Sequence, residues 1–539
     1  MRTPRPGWIF LAFLLAACGG GSSGGITASA NPANTPGTLV FNPPLQAVSL
    51  TAAAFQSSLD STPAGQQLHL LASGPSAPGA STPAPLHCGV DVYKLQFRTT
   101  GGAGEATTSS GALMVPNGGT GCSGPRPIVL YGHGTATSQA FDLSNLADPT
   151  NAANGESALI AAVYASNGFI VVAPNYAGYD TSTLGYHQFL NAAQQSGEMI
   201  DALAAGRTAL AGLAGTGDAG ALFVSGYSAG GHTAMATVRA LEAAGQPVAA
   251  AATMSGPYTM AAFGDLIFLG NVDIGATLFV PLIYNSYRHA YGNTLSIPTD
   301  FFAAPFNNAA SVLPSALTQA QIFMGGLLPQ TALFNNNPMG AFAGLLQNPA
   351  AASNGDFGFG TPFLVTDTAR AAYLADAAAY PDGAVPTVTT GAPSGSATNG
   401  IRQALVLNDL RLPAVSGAPG WLPKAPMLLC AGGNDPVVFS TNTLIMQRYF
   451  AAIQAALQPA VAPLRHFLNI DLNTSGTGKL PASPDSDPVF SAYQQAFTGL
   501  YNQQAGTTVA TQTAALTGYH TSVAPFCTAA SLSFFASPR

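Results

Sequence analysis

The chain has 539 residues, and 47% of them are hydrophobic, enough to bury a large core, so disorder over most of its length is excluded. Only 7% are charged and the formal net charge is −7, which leaves too few Lys and Arg to build a basic surface for a nucleic-acid backbone. Abundant glycine (60) and proline (41) indicate a surface solvated by small polar groups and backbone, a composition that suits an exported protein.

In chain order, Arg2 and Arg5 precede an apolar run from Trp8 to Ala17, too short to span a bilayer but right for the core of a signal peptide. The run ends in Leu15-Ala16-Ala17-Cys18, which resembles a bacterial lipobox. That resemblance implies a signal peptide over 1–17 and lipidation of Cys18. Gly19, rather than Asp, follows the cysteine, so the expected location is the outer membrane, on its periplasmic or cell-surface face. Residues 18–44, opening with Gly19-Gly20-Gly21-Ser22-Ser23-Gly24-Gly25, read as a flexible tether. The other cysteines, Cys88, Cys122, Cys430 and Cys527, allow three disulfide pairings. The favoured one is Cys88–Cys122 with Cys430–Cys527. The first two flank one hairpin region, and the last two lie near the candidate acid and histidine described below. No two cysteines have CxxC spacing, so no metal site is expected.

Alternation over residues 90–97 predicts a strand, residues 101–110 a polar turn, and residues 111–116 a second strand. Apolar runs at 127–131, 168–173, 221–225, 248–254, 426–430 and 467–472 predict buried strands. Helical stretches at 156–167, 197–213 and 229–244 alternate with the earlier of them. This order predicts an α/β fold with a doubly wound, mostly parallel sheet covered on both faces. Its two parts are 45–255 and 420–539. Residues 256–419 break the rhythm and are expected to form an inserted helical cap, with a Gly/Ser/Thr/Pro-rich loop near 385–400. The apolar stretch 266–283 is interrupted by Asn271, Asp273 and Pro281, which favours a lid helix over a membrane span.

Gly226-Tyr227-Ser228-Ala229-Gly230 follows a predicted strand and precedes a predicted helix, the context a GxSxG nucleophile elbow requires. Ser228 is therefore the candidate nucleophile. A serine hydroxyl needs a general base, itself oriented by a carboxylate, and in this arrangement the chain order is Ser, acid, His. Beyond the expected cap lie only His466 and His520. His466 opens a strand, at the wrong end of the sheet, so His520, read as a loop residue before a helix, is the candidate base. Asp435 follows the buried strand and Gly432-Gly433-Asn434 in a turn at the sheet's carboxyl end, and is the candidate acid; Asp471, inside the last strand, is its rival. The backbone N–H groups of Ala229 and of Thr135, in Tyr131-Gly132-His133-Gly134-Thr135, are the candidate oxyanion donors. His133 reads as a residue that holds this loop. Gly215–Gly220 matches GxGxxG, but after a helix and before a strand, and Gly476-Thr477-Gly478-Lys479 lacks both flanking P-loop requirements. No nucleotide and no cofactor is expected.

The set formed by residues 131–135, Ala173-Pro174-Asn175-Tyr176-Ala177-Gly178, Gly226–Gly230 and Gly432–Asp435 resembles α/β-hydrolases, and among them most the secretory lipase family. The resemblance spans roughly residues 88–535, and Asn175 stands where that family commonly has Asp. It implies hydrolysis of carboxylic esters through an acyl-enzyme. The expected partners are a small-molecule or lipid ester with an apolar acyl or alcohol group, and a membrane held through the N-terminal lipid. Two other functions compete: a serine peptidase on the same fold, and a non-catalytic surface-binding lipoprotein.

Overall fold

Val90 and Val92, then Leu95 and Phe97 after a shift of phase at Tyr93-Lys94, are buried along one strand, which extends to twelve residues because its neighbour on each side completes the hydrogen-bond ladder. The computed structural model describes residues 35–74, 83–345, 357–381, 396–412, 420–457 and 465–537. The signal peptide, Cys18 and most of the expected tether lie outside the described residues, as does the greater part of the loop near 385–400.

The first part of the chain runs β1 (Leu45–Leu50), α1 (Ala52–Asp60), α2 (Pro63–Ala72), β2 (Gly89–Thr100), β3 (Ala106–Asn117), β4 (Gly124–Gly132), α3 (Asn154–Val163), β5 (Ile170–Pro174), α4 (Ala192–Ala211), β6 (Thr216–Tyr227), α5 (Ala229–Ala243) and β7 (Ala250–Met254). Five helices and a two-residue strand pair follow: α6 (Met260–Phe268), α7 (Ala276–Tyr291), α8 (Gln319–Met324), β8 (Phe334–Asn335), β9 (Phe359–Gly360), α9 (Asp367–Ala379) and α10 (Gly400–Leu407). The chain then returns through β10 (Met427–Ala431), α11 (Thr441–Leu457), β11 (Arg465–Asn469), α12 (Pro488–Ala505), α13 (Val509–Thr517) and α14 (Tyr519–Ala536).

The described residues form a nine-stranded sheet in the order β1-β2-β3-β5-β4-β6-β7-β10-β11. Its first three pairings are antiparallel. From β5 to β11 every pairing is parallel, with α3, α4, α5 and α11 making crossovers. All five residues of β5, β7 and β10 are buried, as continuous apolar runs demand of strands covered on both faces. Each Val, Ile, Leu or Met side chain among them contributes about 1.5–3 kcal/mol of burial free energy.

Two expectations need correction. Residues 35–44 are not free tether: the Gly37 and Val40 N–H groups donate to the carbonyls of Arg98 and Gln96, and Leu39 bridges Phe97, so this stretch is laid along β2. The polar turn predicted to Ser110 ends earlier, because β3 begins at Ala106 and buries Thr107, Ser109 and Ser110 among neighbours that satisfy their hydroxyls. The mostly exposed β1 and the small helices α1 and α2 carry little apolar signal. The helices are set instead by caps, Thr51 accepting from the Ala54 N–H and Thr62 from that of Gly65, with Pro63 at the first helical position.

Two disulfides staple this frame. Cys88–Cys122 (Cα–Cα 5.6 Å) joins the entry to β2 to the turn before β4, and Cys430–Cys527 (5.7 Å) joins β10 to α14. Among the described residues no helix is long and apolar enough to cross a membrane.

Candidate active site

Ser228 sits where β6 breaks into α5. Its φ of 58° and ψ of −126° are a conformation that costs a non-glycine residue of order 1–3 kcal/mol, held here by the Ser228 N–H donating to the Met254 carbonyl at 2.9 Å. The flanking glycines are required by contact: a Cβ on Gly226 would strike the Gly230 carbonyl oxygen, and one on Gly230 that of Gly132. The sharp bend projects the serine at the carboxyl end of the sheet, at the N-terminus of a fifteen-residue helix.

Asp435 lies on the turn after β10. Its Oδ1 accepts the N–H groups of Val437 (2.9 Å) and Val438 (3.1 Å), and its Oδ2 lies 2.6 Å from His520 Nδ1. The rival acid, Asp471, stands two residues beyond the end of β11 and serves that turn: its Oδ2 accepts from the Tyr519 hydroxyl (2.6 Å) and the Asn434 amide (2.9 Å). His520 occupies the first turn of α14 rather than a loop, because α13 and α14 abut at Gly518 with no extended segment between them. Tyr227 packs 4.9 Å from the His520 ring and donates its hydroxyl to the His520 carbonyl. His520 Nε2 is buried without a hydrogen-bond partner, so the Ser228 hydroxyl does not bond to it in this conformation. Both residues open on one cleft.

Thr135 and Ala229 line the space beside Ser228, and their N–H groups meet no acceptor among the described residues. The loop carrying Thr135 is fixed from below by a residue the sequence did not single out. Glu156, at the start of α3, accepts from the Gly134 N–H (3.0 Å) and the Tyr131 hydroxyl (2.9 Å). Burial raises its carboxyl above the usual range, and those two bonds pull it back. His133 is stacked between Phe141 and Tyr176, its ring nitrogens 2.7 Å from the Gly134 carbonyl and 3.0 Å from that of Asn175. Burial depresses this imidazole to about 4. Asn175 accepts the Leu143 N–H and donates to Ser110 and Asp142, so its amide fills both polar roles in a buried loop.

The remaining candidates lie elsewhere. His466 Nε2 is 2.7 Å from Asp485, at the start of β11. The GxGxxG stretch runs into β6, where Asp218 pairs with Arg207, and Lys479 donates to the Asn434 side chain. Among the described residues, the cluster His87, Cys88 and Cys122 has metal-ligating atoms close together, but both sulfurs are in a disulfide and one imidazole is left.

Two cavities meet at Ser228 and Thr135. One runs between Phe189, Met260, Ile267, Phe279 and Leu405 and is almost wholly apolar. The other is a broader cleft that includes Tyr131, Glu156 and His520 and mixes polar with apolar walls.

No protein-family model matches the chain, and no curated protein matches it. Among solved structures, the chain is similar to a rice cell wall degrading esterase, LipA from Xanthomonas oryzae, at 24% identity and a TM-score of 0.59, covering 87% of this chain and 98% of that one. It is also similar to a proposed hydrolase of Legionella pneumophila at 15% identity and a TM-score of 0.56, covering 91% and 96%. With the parallel sheet and its strand-to-helix bend at Ser228, these likenesses identify the architecture: the chain has the α/β-hydrolase fold.

Proposed function

We propose that the protein is a serine hydrolase that cleaves carboxylic esters by a Ser-His-Asp mechanism. The observation that carries the reading is the 2.6 Å contact between His520 Nδ1 and Asp435 Oδ2, with the other ring nitrogen left unpartnered beside the cleft that holds Ser228. A carboxylate fixed by two backbone N–H groups orients the imidazole so that Nε2 presents a lone pair to the serine proton. A rotation of the Ser228 side chain brings its hydroxyl to that nitrogen as substrate enters; hydrogen bonds of this kind commonly tighten only in the substrate complex.

In this mechanism Ser228 Oγ attacks the ester carbonyl as His520 takes its proton. The oxyanion is held by the N–H groups of Thr135 and Ala229, and His520 returns the proton to the departing alcohol. Water then repeats the cycle on the acyl-enzyme and frees the acid. The apolar pocket receives the acyl chain, stabilising it by about 25 cal/mol per Å² buried, and the wide cleft admits the alcohol. The segment from α6 to α10 acts as the cap over both. That the structurally similar LipA of Xanthomonas oryzae is an esterase supports this chemistry. Two disulfides suit an exported protein, and Cys18 would carry the lipid that anchors it to the outer membrane.

A fluorophosphonate probe tests the reading. It should label the wild-type protein, and Ser228→Ala should lose both the label and turnover of nitrophenyl esters. Labelling that survives the substitution, or peptide turnover exceeding ester turnover, would overturn it.

A further inference from the structure

One acidic residue lines the apolar pocket beside Ser228. Asp273 lies in the bend between α6 and α7, is 4% exposed, and lines the pocket together with Ser228, Phe263, Ala276 and Val437. Apart from its own backbone N–H, no hydrogen-bond donor and no cation meets its carboxyl among the described residues, in contrast to Asp265, Asp376 and Asp409, each of which is paired with an arginine. The bend cannot readily swing this group into solvent. The Ile274 N–H donates to the Pro436 carbonyl at 3.0 Å, tying the segment to the turn that carries Asp435, and the Ala276 N–H donates to the Asp273 carbonyl at 3.3 Å. A buried polar group left unpaired is unfavourable, and a purely hydrocarbon occupant of the pocket would leave it so.

From this placement we infer that Asp273 is the specificity-determining residue of the acyl pocket, and that the preferred substrates are esters of hydroxy acids, whose acyl chain carries a hydroxyl of its own. This rests on the esterase reading and deepens it. A carboxylic acid offers one donor and one acceptor, and a single alcohol on the chain satisfies both while the rest of the chain stays in contact with Phe263 and Ile267. Burial, reinforced by the neighbouring Asp435 carboxylate, holds the Asp273 carboxyl well above the usual carboxylate range, which leaves it able to donate. An ammonium group fits less well, since it would be stripped of water in a pocket that offers a single carboxyl in return.

The test compares nitrophenyl octanoate with a series of nitrophenyl hydroxyoctanoates that differ in the carbon bearing the hydroxyl, with active sites counted by fluorophosphonate labelling. At least one hydroxy ester should exceed the plain ester in kcat/KM by about tenfold or more in the wild-type protein, the discrimination one well-placed hydrogen bond provides. Asp273→Leu should reduce that ratio to unity or below, Asp273→Ala gives the same readout if the leucine variant does not fold, and Asp273→Asn, which keeps a donor and an acceptor, should preserve the preference. A wild-type ratio at or below unity for every position, or a ratio that survives Asp273→Leu or Asp273→Ala, overturns the inference while plain-ester turnover leaves the esterase reading standing. Absence of both labelling and ester turnover fails the two together.

Discussion

The parallel half of the sheet and the segment between β7 and β10 bury side chains by opposite means. In β5, β7 and β10 nearly every residue is apolar and the backbone is paired on both sides, so position is dictated by register. In the inserted segment the longest helix has sixteen residues, and its apolar cluster is braced by buried charge. The fully buried Arg402 donates to Asp265 through two nitrogens at 2.8 Å and reaches Asp376 at 3.3 Å, while Arg370 lies over the Phe334 ring at 4.3 Å. In the proposed mechanism, the residues that must hold close geometry therefore stand at the carboxyl end of the sheet and on the helix bridged to it by Cys430–Cys527, whereas those proposed to decide what fits beside them stand on an insert shaped side chain by side chain.

Breaking the sheet side should have the largest effect. Asp435→Asn turns an acceptor into a donor toward His520 Nδ1, which shifts the ring proton to Nε2 and removes the base; kcat for a nitrophenyl ester should fall by about 10⁴-fold with the protein still folded. Stability should respond next. Replacing Cys430 and Cys527 together by alanine opens a closure of 97 residues, worth about 4–5 kcal/mol in the chain-entropy picture. Replacing Cys88 and Cys122 opens one of 34 and should cost about 4 kcal/mol. The sharper contrast is in kcat. The first bridge lies five residues before Asp435 and seven after His520, so its loss should slow turnover as well as lower the unfolding midpoint, whereas loss of the second should lower the midpoint alone.

On the insert side, Asp265→Asn leaves the Arg402 guanidinium without its principal partner. Such a change costs about 3–5 kcal/mol for a buried pair. If the insert builds the acyl pocket, octanoate turnover should drop more than acetate turnover, because Ile267 and Phe268, on the same helix as Asp265, form part of the pocket wall. Equal losses on the two esters would mean that the damage spreads to the sheet.

The same division explains what could be read before folding. Ser228 was legible because a sharp strand-to-helix bend demands glycines at fixed spacing, and Asp435 because a turn after a buried strand shows as Gly-Gly-Asn-Asp. His520 was legible by chain order, yet its place in a helix was not, since residues 509–536 mix threonine, alanine and aromatics with no clean period. Glu156 and Tyr227 escaped for a different reason. Their roles lie in contacts between elements far apart in sequence, Glu156 with Gly134 and Tyr227 with His520, and no local pattern encodes such a meeting. In the insert the partners of Arg402 lie 137 and 26 residues away, and only the folded chain reveals them.

The smallest effect concerns the seam between the two regions. His232, in α5, is fully buried and its Nε2 lies 2.9 Å from the Asn408 carbonyl, where the insert ends. Burial pulls the imidazole from its ordinary 6.5 down to about 4, although the Asn408 carbonyl favours the proton. The unfolded chain therefore binds a proton that the folded chain refuses. The resulting stability is fully present above pH 6.5 and is lost as pH falls toward 4, by about 2 kcal/mol between pH 7 and pH 5. His133, depressed to about 4, and His187, depressed to about 3, act in the same direction, while Asp201, raised to about 6, acts in the opposite one. The informative quantity is therefore the difference between wild type and His232→Gln, in which the other groups cancel. Guanidinium unfolding at the two pH values should show the wild type losing about 2 kcal/mol more than the variant. A wild-type loss smaller than the variant's would mean that His232 already carries its proton in the folded state, hydrogen-bonded to the insert, and that the seam is held by charge in the manner of Arg402 rather than by burial in the manner of the sheet.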